Sequence, residues 1–263
     1  MVATLAIAAI TLVLIYPYVS RSSTHGGSGA STAGFTTRTI ESTHGLPDLY
    51  KVDAQYPVVY GLPNASLQKT INDELSVPAE KYVSDFTTSQ ALNAKYASTF
   101  AETAPSVLTV DFSAYQTGKL ISVKYTSFTQ LSGGSGAGYG LESLTIVLAT
   151  GRALTDVQDF LTPSALSTAG LTTLADDLQA QRGISECDGG DGGFGGSELV
   201  LQVLEQMVSP GGVAVLNLTA AGIEFSFQEG AMSGRACQPV GTLPLSALSG
   251  LVSPSLLSLA AAA

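Results

Sequence analysis

Two runs of strict alternation, back to back in the middle of the chain, limit its fold more than any other feature. Over residues 107–115, Leu108, Val110 and Phe112 alternate with Thr109, Asp111 and Ser113. Over residues 119–131, Ile121, Val123 and Tyr125 alternate with Ser122, Lys124 and Thr126. A period of two belongs to a β-strand with one buried face and one wet face. Thr117-Gly118 between them is hairpin turn chemistry. A third strand, residues 141–149, follows the Gly-rich loop 132–140 and ends in Thr150-Gly151-Arg152. These three strands anchor the rest of the reading.

Before them, residues 46–60 form an extended stretch. Pro57 and Pro63 make it an edge strand or a strand entering a turn. Gly61-Leu62-Pro63-Asn64 is turn chemistry. Asn64 caps a helix running from Ala65 to about Phe86, on which Leu67, Ile71, Leu75 and Tyr82 recur at helical spacing. Pro78 should kink or break it, with patchy helix beyond to about Phe100. After the third strand, Thr155 caps a helix with Asp156 in its first turn, and helical stretches run to Gln181. Residues 198–208 are apolar and ambiguous between strand and helix. Residues 213–218 and 223–227 are strands joined by a hairpin at 219–222. Leu243-Pro244 opens a short helix. Residues 254–263 read as a frayed tail. The fold class is α+β: an antiparallel sheet with helices packed on one face, in two fused small lobes, 46–131 and 132–253.

The ends carry other signals. Residues 2–19 contain no charge and are long enough to span about 27 Å as a helix, close to a bilayer core. This segment, 1–20, is either a membrane anchor or a cleaved signal; Tyr16 and Tyr18 suit an interfacial position, and a basic leader is missing. Residues 21–45 are dominated by Gly, Ser and Thr and read as a flexible tether. The domain is therefore expected outside the cytoplasm, on the cell membrane or secreted.

The net charge is −10, from 21 acidic and 11 basic residues. That balance repels nucleic acid, whose phosphates need clustered Lys and Arg. It favours a cationic partner or a divalent cation, or simply gives solubility. The two cysteines, Cys187 and Cys237, suggest a disulfide in an exported chain; two unpaired buried thiols are the other reading. Such a bridge would close a loop of about 50 residues and contribute about 4 kcal/mol in the chain-entropy view.

Catalytic chemistry finds little support. His25 and His44 are the two histidines, and both fall in or beside the tether. A Ser-His-Asp site or a histidine-held zinc therefore has no histidine within 46–253. Asp156 and Asp159 are the best-spaced carboxylate pair, and at a helix start their commoner work is capping. Asp188 and Asp191 lie in a Gly-rich run without the regular order of a calcium loop. The loop 132–140 lacks the Lys and the strand-to-helix setting of a phosphate cradle. No catalytic residue, cofactor or metal is expected, and the chain is not expected to be an enzyme.

The order of segments resembles a known family. YPVVYGLPNASLQKTINDEL, with its Ile71-Asn72 pair, looks like the opening of the extracytoplasmic part of RsiV-type proteins. LISVKYTSFTQLSGGSGAGYGLESLTIVLATGRALTDVQDFLTP resembles the second half of that region. VLNLTAAGIEFSFQEGAMSGRACQPVGTLPLSALSGLV resembles its closing hairpin and helix. Together these cover about residues 56–252. The same domain pair looks shared with the accessory part of PdaC-type deacetylases, and the second half is similar to a mycobacterial secreted immunogenic protein. The resemblance implies an extracytoplasmic sensing or binding module. RsiV-type proteins restrain a sigma factor inside the cell and bind lysozyme outside. This sequence opens at the apolar segment, so the expectation covers the outer module alone. The expected partner is a cationic protein such as lysozyme, or peptidoglycan. The alternatives are a secreted structural or immunogenic protein without a specific ligand, and a cell-wall hydrolase accessory.

Overall fold

The structure is a computed structural model that describes residues 33–44, 50–94, 105–117, 119–131, 137–181, 184, 197–207, 214–228, 231 and 238–260. The segment 1–20, most of the tether, His25, Asp188, Asp191 and both cysteines lie outside these residues. Among the described residues, no helix is long and apolar enough to cross a membrane.

Among the described residues, nine strands form two sheets. The first has six strands in chain order: β1 (Gly34–His44), β2 (Tyr50–Tyr60), β3 (Ser106–Gln116), β4 (Leu120–Gln130), β5 (Ala137–Val147) and β6 (Ala153–Leu154). All neighbours are antiparallel except β2 and β3, which run parallel over Tyr50–Ala54 and Ser106–Val110. A parallel pair needs a crossover connection. Helix α1 (Ala65–Ala94) lies within it. The second sheet is β7 (Ala214–Thr219), β8 (Gly222–Phe227) and β9 (Val240–Leu243), antiparallel throughout. Further helices among the described residues are α2 (Val157–Phe160), α3 (Thr168–Gln179), α4 (Ser197–Met207) and α5 (Pro254–Ala260).

The α+β class is borne out, and each sheet carries its helices on one face. Ile71, Leu75, Ala79 and Phe86 of α1 bury against Val52, Ala54, Leu108, Val110, Val123 and Ile146 of the large sheet. Leu171, Leu174 and Leu178 of α3 and Val200, Val203 and Leu204 of α4 bury with Leu218, Ile223, Phe225 and Phe227 of the small sheet. The two sheets then meet through their other faces. The layers run α1, large sheet, small sheet, α3 with α4.

Several expectations are corrected. The tether does not extend to residue 45, because Gly34–His44 is β1, paired with β2 over its full length. Thr36, Thr37, Thr39, Ile40 and Thr43 are β-branched and suit a pleated strand. β2 is therefore not an edge strand. Pro57 is tolerated because it lies beyond the pairing with β3. N–H groups alternate sides along a strand, so residue 57 points the same way as Val59, whose N–H turns to Asn72 rather than to β1. The lobe boundary at 131/132 also moves. β5 and β6 continue the large sheet, and β5 begins at Ala137 inside the expected Gly-rich loop.

Pro78 neither breaks nor ends α1. Proline removes one helix hydrogen bond and crowds the carbonyl four residues back. Carbonyls of that turn are taken by side chains: Ser76 Oγ donates to Asp73 O at 2.9 Å, and the buried Tyr125 hydroxyl donates to Leu75 O at 2.6 Å. Pro78 itself is buried. Asn64 caps α1 as expected, accepting from Leu67 N at 3.0 Å.

The cap before α2 is Asp156 rather than Thr155. The apolar stretch at 197–207 is helix α4, with Val200, Val203, Leu204 and Met207 buried on one side. Residues 244–251 form turns, not the expected helix. The helix comes later, in the expected tail: α5 has Pro254 at its first position, and Ser253 Oγ accepts from Leu256 N at 3.3 Å. Leu256 is fully buried, and Lys119 Nζ donates to Ser258 O at 2.9 Å, which ties α5 to the start of β4.

Candidate binding face

The large sheet's second face is where the polar alternates of β3, β4 and β5 point. Those of β3 and β4 were expected to be wet, yet Ser122 is buried and Lys124 is largely covered. Ser122 and Thr145, opposite each other in register, are buried beneath the small sheet. Their hydroxyls lie 2.6 Å apart. Ser122 Oγ also donates to Asn217 Oδ1 at 2.8 Å and accepts from Leu218 N at 2.9 Å. Ser143 Oγ donates to Leu216 O at 2.9 Å. Lys124 Nζ meets Glu224 Oε1 at 2.5 Å, with both side chains about one-sixth exposed at 15% and 16%. Ser226 Oγ donates to Glu224 at 3.0 Å. The seam between the sheets is thus a paired polar network, as burial of such groups requires.

Beyond the small sheet this face carries exposed acids and partly exposed rings. Register fixes its composition strand by strand. Glu41 on β1 lies opposite Asp53 on β2, Asp53 opposite Thr109 on β3, Thr109 opposite Phe128 on β4, and Phe128 opposite Tyr139 on β5. One cross-strand row therefore reads acid, acid, hydroxyl, ring, ring. Adjacent strands are about 4.8 Å apart, so the row spans about 19 Å. Asp111 adds a third carboxylate from the next pleat of β3 on the same side. Glu41, Asp53 and Asp111 are exposed. The Phe128 and Tyr139 rings pack with centroids 5.0 Å apart, tilted by 51°, and Tyr139 is 44% exposed.

Like charges directly opposite each other in a sheet are destabilising. Here the cost is visible in Asp53. Partial burial, and then the charges of Glu41 and Asp111, raise its carboxyl above the ordinary aspartate range. Chemically, the row offers acceptors for ammonium or guanidinium groups beside π-faces that also attract cations.

The sequence-predicted residues fall elsewhere. Asp156 and Asp159 serve the start of α2. Asp159 Oδ2 accepts from Asp156 N at 3.3 Å, and its Oδ1 takes Arg152 at 3.1 Å. They belong to a cap and an ion pair rather than to an acid–base couple. Cys187 and Cys237 lie outside the described residues, as do Asp188 and Asp191. His44 needs a correction: its backbone is the last residue of β1, opposite Tyr50, so the folded sheet does contain a histidine. Among the described residues, no cluster of three or more His, Cys, Asp or Glu could hold a metal ion. A hollow at the β7–β8 turn, lined by Tyr115, Leu218, Gly222 and Leu245 among others, is separate from the acidic row. The row itself was missed. Asp111 and Thr109 stood in the polar phase of a recognised strand, but Glu41 lay in a segment read as tether.

No protein-family model matches the chain, and no curated protein matches it. Solved structures do. A DUF3298-family protein from Bacteroides fragilis superposes with a TM-score of 0.56 at 15% identity, covering 88% of this chain and 97% of that one. The chain shares its fold. A DUF3298-family protein from Pseudomonas aeruginosa aligns at 13% identity and a TM-score of 0.49, over 86% of this chain and 98% of that one.

Proposed function

We propose that this chain is a non-catalytic binding or sensor module of the bacterial cell envelope, working outside the cytoplasm. Its ligand is a basic protein such as lysozyme, or cell-wall material. The observation that carries the reading is the cross-strand row Glu41–Asp53–Thr109–Phe128–Tyr139, on the part of the large sheet that the small sheet leaves uncovered. A rigid sheet that holds carboxylates and rings at fixed spacing is built to recognise, and its opposed carboxylates cost stability without serving the fold. The apolar segment 2–19 and the cysteine pair support an exported setting.

The test is retention. The full chain, immobilised at low salt, is challenged with basic envelope proteins and with peptidoglycan fragments. Retention without turnover of the ligand is expected. Failure to retain either class, or ligand cleavage by the purified chain, overturns the reading.

A further inference from the structure

We infer that β1 is a dimerisation strand: two copies of this chain join edge to edge, β1 antiparallel to β1, across a two-fold axis at Thr39. The two large sheets then continue as one. This concerns assembly and is independent of what the chain binds.

The outward edge of β1 is long and unblocked. β1 is the end strand of the large sheet, and among the described residues its one strand neighbour is β2. The direction of its backbone groups follows from β2. Val59 N and O are both taken by Asn72, and Pro57 has no N–H, so this set of β2 residues bonds away from β1. Val59 stands opposite Phe35, and Pro57 opposite Thr37. Phe35, Thr37, Thr39, Glu41 and Thr43 therefore turn their N–H and C=O groups outward. Proteins commonly blunt such an edge with proline, lysine or a bulge. β1 has none of these, and its register with β2 runs unbroken from Gly34 to His44.

Charge and length select one register. A two-fold axis normal to the sheet keeps each side chain on its own face, so the axis passes through a residue rather than between two. At Arg38 it sets two guanidinium groups opposite each other, and at Glu41 two carboxylates; both are destabilising. At Ile40 it leaves Gly34 and Phe35 beyond the end of the second strand. At Thr39 it pairs the whole of β1. Thr37 then faces Glu41 of the second copy, and Phe35, exposed in the single chain, faces Thr43. Arg38 faces Ile40, which its apolar stem covers. Each of the outward residues exchanges two hydrogen bonds with its opposite number, about ten in all.

The other strand ends point to the same occupant. At the far side of the large sheet, β6 has two residues, too few to pair with the 11 of β1. The end strands of the small sheet, β7 and β9, have six and four. A head-to-tail contact, which builds open fibres, thus has no matching edge. Pairing of β1 with β1 is isologous: it uses the long edge of both copies and closes. The strand also suits self-contact within an acidic chain, since its one arginine and one glutamate cancel.

The experiment is sedimentation velocity of the full chain in a non-ionic detergent, from about 1 to about 200 µM. A monomer–dimer equilibrium with a Kd on the order of 10 µM is expected for so small an interface. It should tighten as salt rises, because each copy carries a net charge of −10. Thr39→Lys and Thr39→Glu each set like charges against each other at the axis, and each should weaken the dimer about tenfold. Mixed in equal amounts, the two variants should recover the parent's affinity to within about threefold, because opposite charges then meet. Thr43→Lys puts the same charge on the same edge, about 27 Å from its counterpart, and should change affinity by less than about threefold. Thr37→Pro removes an outward N–H, leaves the bonds to β2 intact and should weaken the dimer about tenfold. Thermal unfolding verifies that each variant folds; if the Thr39 variants do not, Thr37→Pro and Thr43→Lys carry the test. A full chain that stays monomeric across the range overturns the inference, whether its own residues ahead of 33 or another protein's strand is what covers β1. Association that Thr39→Lys and Thr37→Pro leave unchanged arises elsewhere, as through residues 2–19, and overturns it. So does a loss in both Thr39 variants that mixing does not repair, and so does growth beyond a dimer.

Discussion

Asp53 shows what a carboxylate costs when its neighbours are also acids. Its raised carboxyl means that the folded protein holds the proton more tightly than the unfolded chain does. Stability from this group is therefore complete below the ordinary aspartate value of 3.8 and is lost as pH rises through the raised folded value. Among the described residues, Glu41, Asp111, Lys51 and the paired Lys124 and Glu224 are the charged groups on its face. Asp53→Asn should raise the melting temperature at pH 7, and the gain should shrink toward zero below the ordinary aspartate range; scanning fluorimetry across pH reads both. Lys124 and Glu224 give the opposite lesson. Both are largely buried and bonded to each other. Glu224→Leu should destabilise by about 3 kcal/mol by stranding the Lys124 charge, and adding Lys124→Met should recover most of it. Urea unfolding measures the cycle, and an additive double mutant would count against a coupled pair. Burial and the nearby Glu142 raise the Tyr82 hydroxyl to about 12, with Ser127 pulling the other way. Tyr82 also lies where a Cβ on Gly140 would sit, 2.7 Å from its ring. That contact explains why β5 carries a glycine there.

At the scale of elements, Asn72 holds α1 to the sheet. Its Oδ1 accepts from Val59 N at 2.7 Å and its Nδ2 donates to Val59 O at 3.0 Å. The amide thus stands in for the strand that β3 ceases to provide beyond Ala54. Asn72→Ala should cost about 2 kcal/mol, for two bonds at a half-buried site. Asn72→Asp keeps the acceptor but turns the donor into a second acceptor facing Val59 O. It should be as damaging at pH 7 and partly recover when acid restores a proton; urea midpoints at the two pH values test this. The Ile71-Asn72 pair was legible through the family resemblance, and Asn64 was legible as a cap because it acts locally. The job of Asn72 was not legible, since it depends on where a strand elsewhere in the chain stops pairing. β3, β4 and the β7–β8 hairpin were readable from alternation and turn residues. β1 was hidden by its threonines, which look like linker in composition and behave like strand once β2 is beside them. α5 was too short to show a period; one buried leucine and a serine cap define it.

At the scale of the molecule, the alternation that marked β3 and β4 was right about the period and half wrong about water. Hydroxyls were assigned to solvent because a single sheet leaves one face wet. A second sheet settles on part of that face, and nothing local in residues 107–131 announces it. The partner residues, Asn217 and Glu224, lie about a hundred positions away. The same arrangement explains why the acidic row is exposed, since the small sheet stops short of it. Removing residues 1–32 should leave a folded, monodisperse domain. Removing 1–44 should strip β1, expose the edge of β2 at Val52, Ala54 and Val59, and give aggregates on size-exclusion chromatography. Equal behaviour of the two truncations would mean that β1 contributes nothing to solubility.

The placement of β1 also has a mechanical side. It is the outermost strand of the large sheet, the first the chain forms after residue 33, and it is held to β2 along all 11 of its residues. A pull on the chain ahead of Gly34, directed along the strand, loads those hydrogen bonds together in shear. The same pull directed across the strand opens them one after another, like a zip. How firmly the domain resists being tugged by its N-terminal end is therefore a matter of direction as much as of bond number.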